Sequence, residues 1–147
     1  MRKRYALAFG LLVFLNLGMA GAQTKGVGVT ESLSGVPGDP VRGRAIIVSR
    51  QTGLCLLCHN GPFPEERFQG NLAPNLSISV ANLTAPELRA RIMDASRFNA
   101  NTIMPSYYRE DHLYRVASKF KGQTILNAQE IEDVVAFLVS MNNQNQK

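Results

Sequence analysis

Cys55-Leu56-Leu57-Cys58-His59 is the segment of this chain whose residue types and spacing can do chemistry. Two thiols one helical turn apart reach the two vinyl groups along one edge of a haem. A histidine directly after the second thiol then lies under the iron and ligates it through Nε2, which is the C-x-x-C-H pattern of c-type haem attachment. Other chemistries suit the motif less well. A thioredoxin-like dithiol opens a helix in a βαβ setting, and no strand pattern flanks this one. Zinc wants four ligands, and outside the motif only His112 offers an imidazole. A disulfide between residues so close in sequence closes almost no loop and stabilises little. The residues are read as holding one covalently bound haem c through Cys55 and Cys58, with His59 on the iron.

The sixth iron ligand is sought among Met93, Met104, Met141 and His112. Met93 and Met141 fall on apolar helical stripes, where methionine serves as core filler. Met104 stands in a non-periodic stretch and is followed by Pro105, so no packing stripe accounts for it. A Met thioether opposite His favours Fe(II) and raises the potential. Met104 is therefore the favoured ligand, with His112 as runner-up giving a bis-His haem, or else a simple surface histidine. In Leu72-Ala73-Pro74-Asn75-Leu76, the Pro74 carbonyl is placed to accept the Nδ1–H of His59 and fix its tautomer; a plain loop proline is the competing reading.

Helices must position these groups. Asp39 with Pro40 predicts a helix start, and Val41, Ala45 and Val48 give one apolar stripe, widened by Ile46 and Ile47, with Gly53 as the stop. Gly43 inside this helix costs about 1 kcal/mol relative to Ala; a close crossing against Phe137 or Leu138 would explain it. Residues 60–82 carry Pro62, Pro64 and Pro74 and read as one long loop, the kind that serves function in a compact domain. Thr84 and Glu87 pair as a capping box ahead of Leu88, Ile92 and Met93, and Asn127 and Glu130 do so ahead of Ile131, Val134, Val135, Leu138 and Met141. Residues 99–112 are irregular, Lys119 to Thr124 is a turn, and no strand is convincing. The fold class is all-α, three to four helices around one covalently attached haem.

The first 22 residues are set aside. Arg2, Lys3 and Arg4 precede an apolar run from Ala6 to Leu17, and Ala20-Gly21-Ala22 supplies the small-x-small cleavage pattern of a signal peptide. The run is short for a transmembrane helix, which needs about 20 residues, so a periplasmic protein without a membrane anchor after processing is expected. Residues 23–38, rich in Gly, Ser, Thr and Val, form an extended or mobile arm, and residues 39–147 the cytochrome domain. The whole chain carries 16 Lys and Arg against 11 Asp and Glu, a formal +5. Three of the basic residues leave with the leader, so the remainder is close to neutral. Lacking a cationic block with interleaved aromatics, it is a poor nucleic-acid binder.

The helix before CLLCH, the Pro-rich loop, Met104-Pro105 and the helix ending Val135-Ala136-Phe137-Leu138 together resemble a class I cytochrome c. Ala73-Pro74-Asn75-Leu76 is similar to that class's Gly-Pro-x-Leu loop, with Ala73 replacing the glycine. A narrower resemblance runs over residues 39–141. Arg42-Gly43-Arg44-Ala45-Ile46, Glu87-Leu88-Arg89-Ala90-Arg91-Ile92, Thr102-Ile103-Met104-Pro105-Ser106-Tyr107-Tyr108 and Gln129-Glu130-Ile131-Glu132-Asp133-Val134-Val135 look like the SoxX family. SoxX is the small cytochrome subunit of the SoxAX complex of bacterial sulfur oxidation. The resemblance implies a SoxA-type cytochrome partner, a SoxYZ-type sulfur carrier and a downstream cytochrome acceptor. SoxAX, an L-cysteine S-thiosulfotransferase, joins thiosulfate oxidatively to a carrier cysteine and releases two electrons. With both cysteines used for haem, this chain would accept electrons and leave the catalytic cysteine to SoxA. The alternatives are a free diffusible cytochrome c serving an oxidase or another dehydrogenase, and a haem sensor without a strong sixth ligand.

Overall fold

The computed structural model describes residues 28–145; the proposed leader, residues 1–22, lies outside them. Four α-helices form the frame: α1 (Pro40–Val48), α2 (Leu76–Ser79), α3 (Ala85–Met93) and α4 (Ala128–Asn145). Among the described residues there is no strand, and the chain is all-α as expected.

Each long helix starts where its residues dictate. The Asp39 carboxylate accepts the N–H groups of Val41 and Arg42, satisfying donors that the first turn cannot pair internally. The Glu87 carboxylate accepts both the backbone N–H and the hydroxyl of Thr84. At α4 the box is reciprocal, Asn127 N–H to Glu130 at 2.8 Å and Glu130 N–H to the Asn127 side chain at 3.0 Å. The apolar face of α4 is buried as its spacing predicts, through Ile131, Val134, Val135, Leu138 and Met141, and so are Leu88 and Ile92 of α3.

The face of α1 differs from the predicted stripe. Val41 is 77% exposed and Ala45 is exposed, while Gly43 and Ile47 are buried. The helix is turned so that Gly43 meets α4. A Cβ there would overlap the Asp133 carbonyl oxygen and press on the Phe137 Cβ. Glycine permits this close crossing, and counting apolar side chains cannot detect a contact made by hydrogen. Nor does Gly53 stop the helix. Ser49 caps α1, donating to the carbonyls of Ala45 and Ile46, and Gly53 lies beyond in the loop before the cysteines. The predicted loop 60–82 also contains the short α2, capped by Asn75 onto the Ser77 N–H.

Two adjacent carboxylates of α4 tie the frame together. Glu132 takes a bidentate pair from Arg89 of α3 at 2.7 and 2.8 Å and the N–H of Leu33. Asp133 takes Arg42 of α1 and the N–H of Asp39. Arg89 also donates to the Val29 carbonyl, and the Val29 N–H donates to Pro86. Residues 29–33 are thus strapped across α3 and α4 by backbone groups, which a mobile arm would not be.

Candidate haem cleft

The frame leaves an apolar cavity of about 590 Å³ between the cysteine segment and the loop that follows α3. Cofactor pockets span roughly 300–1,000 Å³. Ile47, Leu54, Ile92, Leu126, Val134 and Leu138 form much of its lining, with Cys55, Cys58, His59, Pro74 and Met104 around them. All five of the site residues read from the sequence therefore meet at one cavity. His112 does not join them. Its side chain is 83% exposed beside Asp111, and Met93 and Met141 are likewise outside the lining.

Local turns build the cysteine wall. Leu54 takes a left-handed conformation (φ 60°) and leads into a single 3-10 turn over Cys55–Leu57. The Cys55 carbonyl accepts the N–H groups of both Cys58 and His59, fixing the two sulfurs and the imidazole relative to one another. Burial pushes the Cys55 thiol up to about 11, and the thiol donates to the Gly53 carbonyl. A thiol so raised holds little thiolate at neutral pH, which is the reverse of what a redox-active dithiol requires.

The loop beneath His59 is laced to this wall by backbone bonds: Gly70 N–H to Leu56 O, Ala73 N–H to Cys58 O and Leu76 N–H to Asn60 O. A Cβ at Gly70 would strike the Leu57 carbonyl and the Cys58 backbone, so glycine is what lets the two segments lie together. This lacing puts the Pro74 carbonyl 2.6 Å from His59 Nδ1. A carbonyl can only accept, so Nδ1 carries the proton and the Nε2 lone pair is free for a metal.

A second wall is built by the segment from Asp94 to Tyr108. Tyr107 N–H donates to Ile92 O and Tyr108 N–H to Met93 O, folding the segment back on the end of α3. The Tyr107 carbonyl accepts from both Ile125 and Leu126, and its buried hydroxyl donates to Gly53 O at 2.6 Å. Tyr107 therefore clamps the Met104 segment to the residues just ahead of Cys55. Met104 is half-buried, and its N–H is bonded to Thr102 Oγ1.

Asp94 holds the same segment from its other side. One carboxylate oxygen accepts Ser96 N–H, Ser96 Oγ and Ser106 Oγ; the other accepts Arg109 at 2.9 Å. Burial works to raise this carboxyl, but the bonds from Ser96, Ser106 and Arg109 outweigh it and bring it down to about 2. Neither Tyr107, Asp94 nor Gly70 was among the expected site residues. Asp94-x-Ser96 is visible as a local capping pair, but nothing in the sequence marks Ser106 and Arg109 as its further partners.

The cavity's volume and apolar lining fit a macrocycle of haem size. Two thiols, an imidazole with a committed tautomer and a thioether all line it. The donor set, one nitrogen and one soft sulfur, is suited to haem iron. No family model and no curated protein matches the chain. Among solved structures, the crystal structure of SoxXA from P. pantotrophus superposes with a TM-score of 0.71 at 36% sequence identity, over 78% of this chain and 90% of that chain.

Proposed function

The chain belongs to the SoxX family, and from that premise we propose that it is the electron-accepting monohaem subunit of a SoxAX complex, working in the periplasm beside a SoxA-type partner. One observation carries the reading: His59, its Nδ1–H given to Pro74, and Met104 line the same apolar cavity at whose edge Cys55 and Cys58 stand. Haem c, when bound, supplies a one-electron Fe(III)/Fe(II) couple. Cys55 and Cys58 would hold it by thioether bonds, so that it is not lost outside the cell. His59 would give Nε2 to the iron, and its bond to Pro74 keeps the ring oriented. Met104 would give a thioether, which favours the reduced state. The apolar lining of Ile47, Ile92, Leu126 and Val134 would surround the group.

The sequence holds two cysteines, and both are committed to attachment in this reading. Sulfur transfer then requires a thiol of the partner, and this chain's task is to take the released electrons one at a time and pass them to a further cytochrome. The export reading of residues 1–22 supports the periplasmic location. No helix among the described residues is long and apolar enough to cross a membrane.

The test is purification from the native host. A second haem-bearing chain should accompany this one, and thiosulfate should reduce its haem only when that partner and a sulfur-carrier protein are present. A solitary monomer, reduced at full rate by unrelated donors, would instead identify a free diffusible cytochrome c.

A further inference from the structure

We infer that Asp94 is a positioning residue for Met104: its buried carboxylate sets how firmly the thioether is held at the haem iron. The inference rests on the reading of Met104 as that ligand. The segment from Asn99 to Pro105 has no helix of its own. Its internal bonds are turns, Thr102 N–H to Asn99 O and Asn101 N–H to the Asn99 side chain. Such a segment opens easily unless its ends are fixed.

Asp94 closes it. Through Ser96 the carboxylate fixes the departure from α3, and through Ser106 and Arg109 it fixes the return, so one side chain gathers both ends. Ser106 is two residues from Met104. The Asp94 side chain is 13% exposed, and bonds to a charged acceptor are stronger than neutral ones. Removing it would leave two hydroxyls and a guanidinium without their common acceptor. The return is also held by main-chain bonds, Tyr107 N–H to Ile92 O and Tyr108 N–H to Met93 O, and the departing end by Arg91 stacked 4.4 Å over the Phe98 ring; of the ties that join the two ends, the one from Asp94 to Ser106 lies nearest Met104 along the chain.

Competition at the iron measures the effect. An added ligand binds only while Met104 is away, so its apparent affinity scales with the fraction of time the loop is open. Imidazole is titrated into the oxidised holoprotein, with the far-red sulfur–iron charge-transfer band as a second readout. Asp94→Ala should tighten apparent imidazole binding about tenfold by raising that open fraction and weaken the band, with haem still covalently attached. Ser106→Ala, which keeps the carboxylate and its ion pair, should shift affinity in the same direction by about threefold, and it serves if Asp94→Ala fails to fold. Unchanged imidazole affinity in Ser106→Ala, or in a folded Asp94→Ala, overturns the inference. Met104→Ala separates the two levels. If it abolishes the band and Asp94→Ala changes nothing, only the role of Asp94 fails; if Met104→Ala itself leaves band and affinity unchanged, the ligand assignment fails.

Discussion

The two walls of the cleft are built by different means. The His59 wall is short and held by the main chain: one 3-10 turn and three backbone bonds to residues 70–76 place both sulfurs and the imidazole. The Met104 wall is a long excursion between α3 and α4. Main-chain bonds at Tyr107 and Tyr108 anchor only its return, and side chains supply further ties, Asp94 at its origin and Tyr107 reaching across to Gly53. Main-chain bonds survive most substitutions, whereas a side-chain tie is lost with one residue. On the proposed reading, attachment of a haem would rest on the sturdier wall, and the hold on Met104 on ties that single residues can loosen.

The sharpest way to break this comparison is to cut each wall at its chemical group. Cys58→Ala should abolish stable covalent haem incorporation, read as loss of haem staining after denaturing electrophoresis. Met104→Ala should leave that staining intact while eliminating the far-red band and lowering the potential. Equal effects of the two on staining would show that the walls are not separable.

Next in size is the frame that serves both walls. Gly43→Ala forces a methyl into the Asp133 carbonyl, and overpacking of this kind is expected to cost about 3 kcal/mol. Denaturant unfolding of the holoprotein should show the loss, with the spectrum of the remaining folded protein unchanged. Tyr107→Phe is milder. It strands the Gly53 carbonyl and should cost about 1.5 kcal/mol in the same measurement; a neutral result would mean that the bridge between the walls carries no load.

The last effect is that of acid. Burial tends to raise the carboxyls of Asp94, Glu132 and Asp133, but hydrogen bonds, chiefly from Ser96 to Asp94, Arg89 to Glu132 and Arg42 to Asp133, hold all three below their ordinary values. A depressed carboxyl stabilises the folded state above its unfolded pKa, about 4, and that contribution disappears as pH falls through the folded value. For Asp94 the window runs from about 4 down to about 2. The unfolding midpoint should fall across it, and Asp94→Asn should flatten the slope there without altering it near neutrality.

What could be read from the sequence follows the same division. Cysteine spacing, the two capping pairs and the stripe of α4 are local patterns, and each names its own partners. The Pro74 carbonyl was within reach because it needs only a proline-turned loop close to the motif. The stripe of α1 misled because the helix meets α4 through Gly43, a residue with no side chain to count; the close crossing against Phe137 was itself legible in a glycine placed inside a helix. Asp94 escaped because Ser106 and Arg109 come back to it only after the chain has turned, and the strap over residues 29–33 because its partners, Arg89 and Glu132, lie two helices away. Composition left an extended or a mobile arm open; buried charge supplied the anchor.

The bond between His59 and Pro74 has a consequence for how this protein can vary over time. Its acceptor is a main-chain oxygen, present whatever side chain occupies position 74, so natural variation cannot readily delete the contact that sets the imidazole's protonation. On the proposed reading, variation in the hold on Met104 would fall instead on side-chain positions such as Asp94 and Ser106. On the His59 side the vulnerable letter is Gly70, whose missing side chain lets the supporting loop come close. A lineage could thus retune the thioether face in small steps, while the imidazole face would be inherited whole or lost.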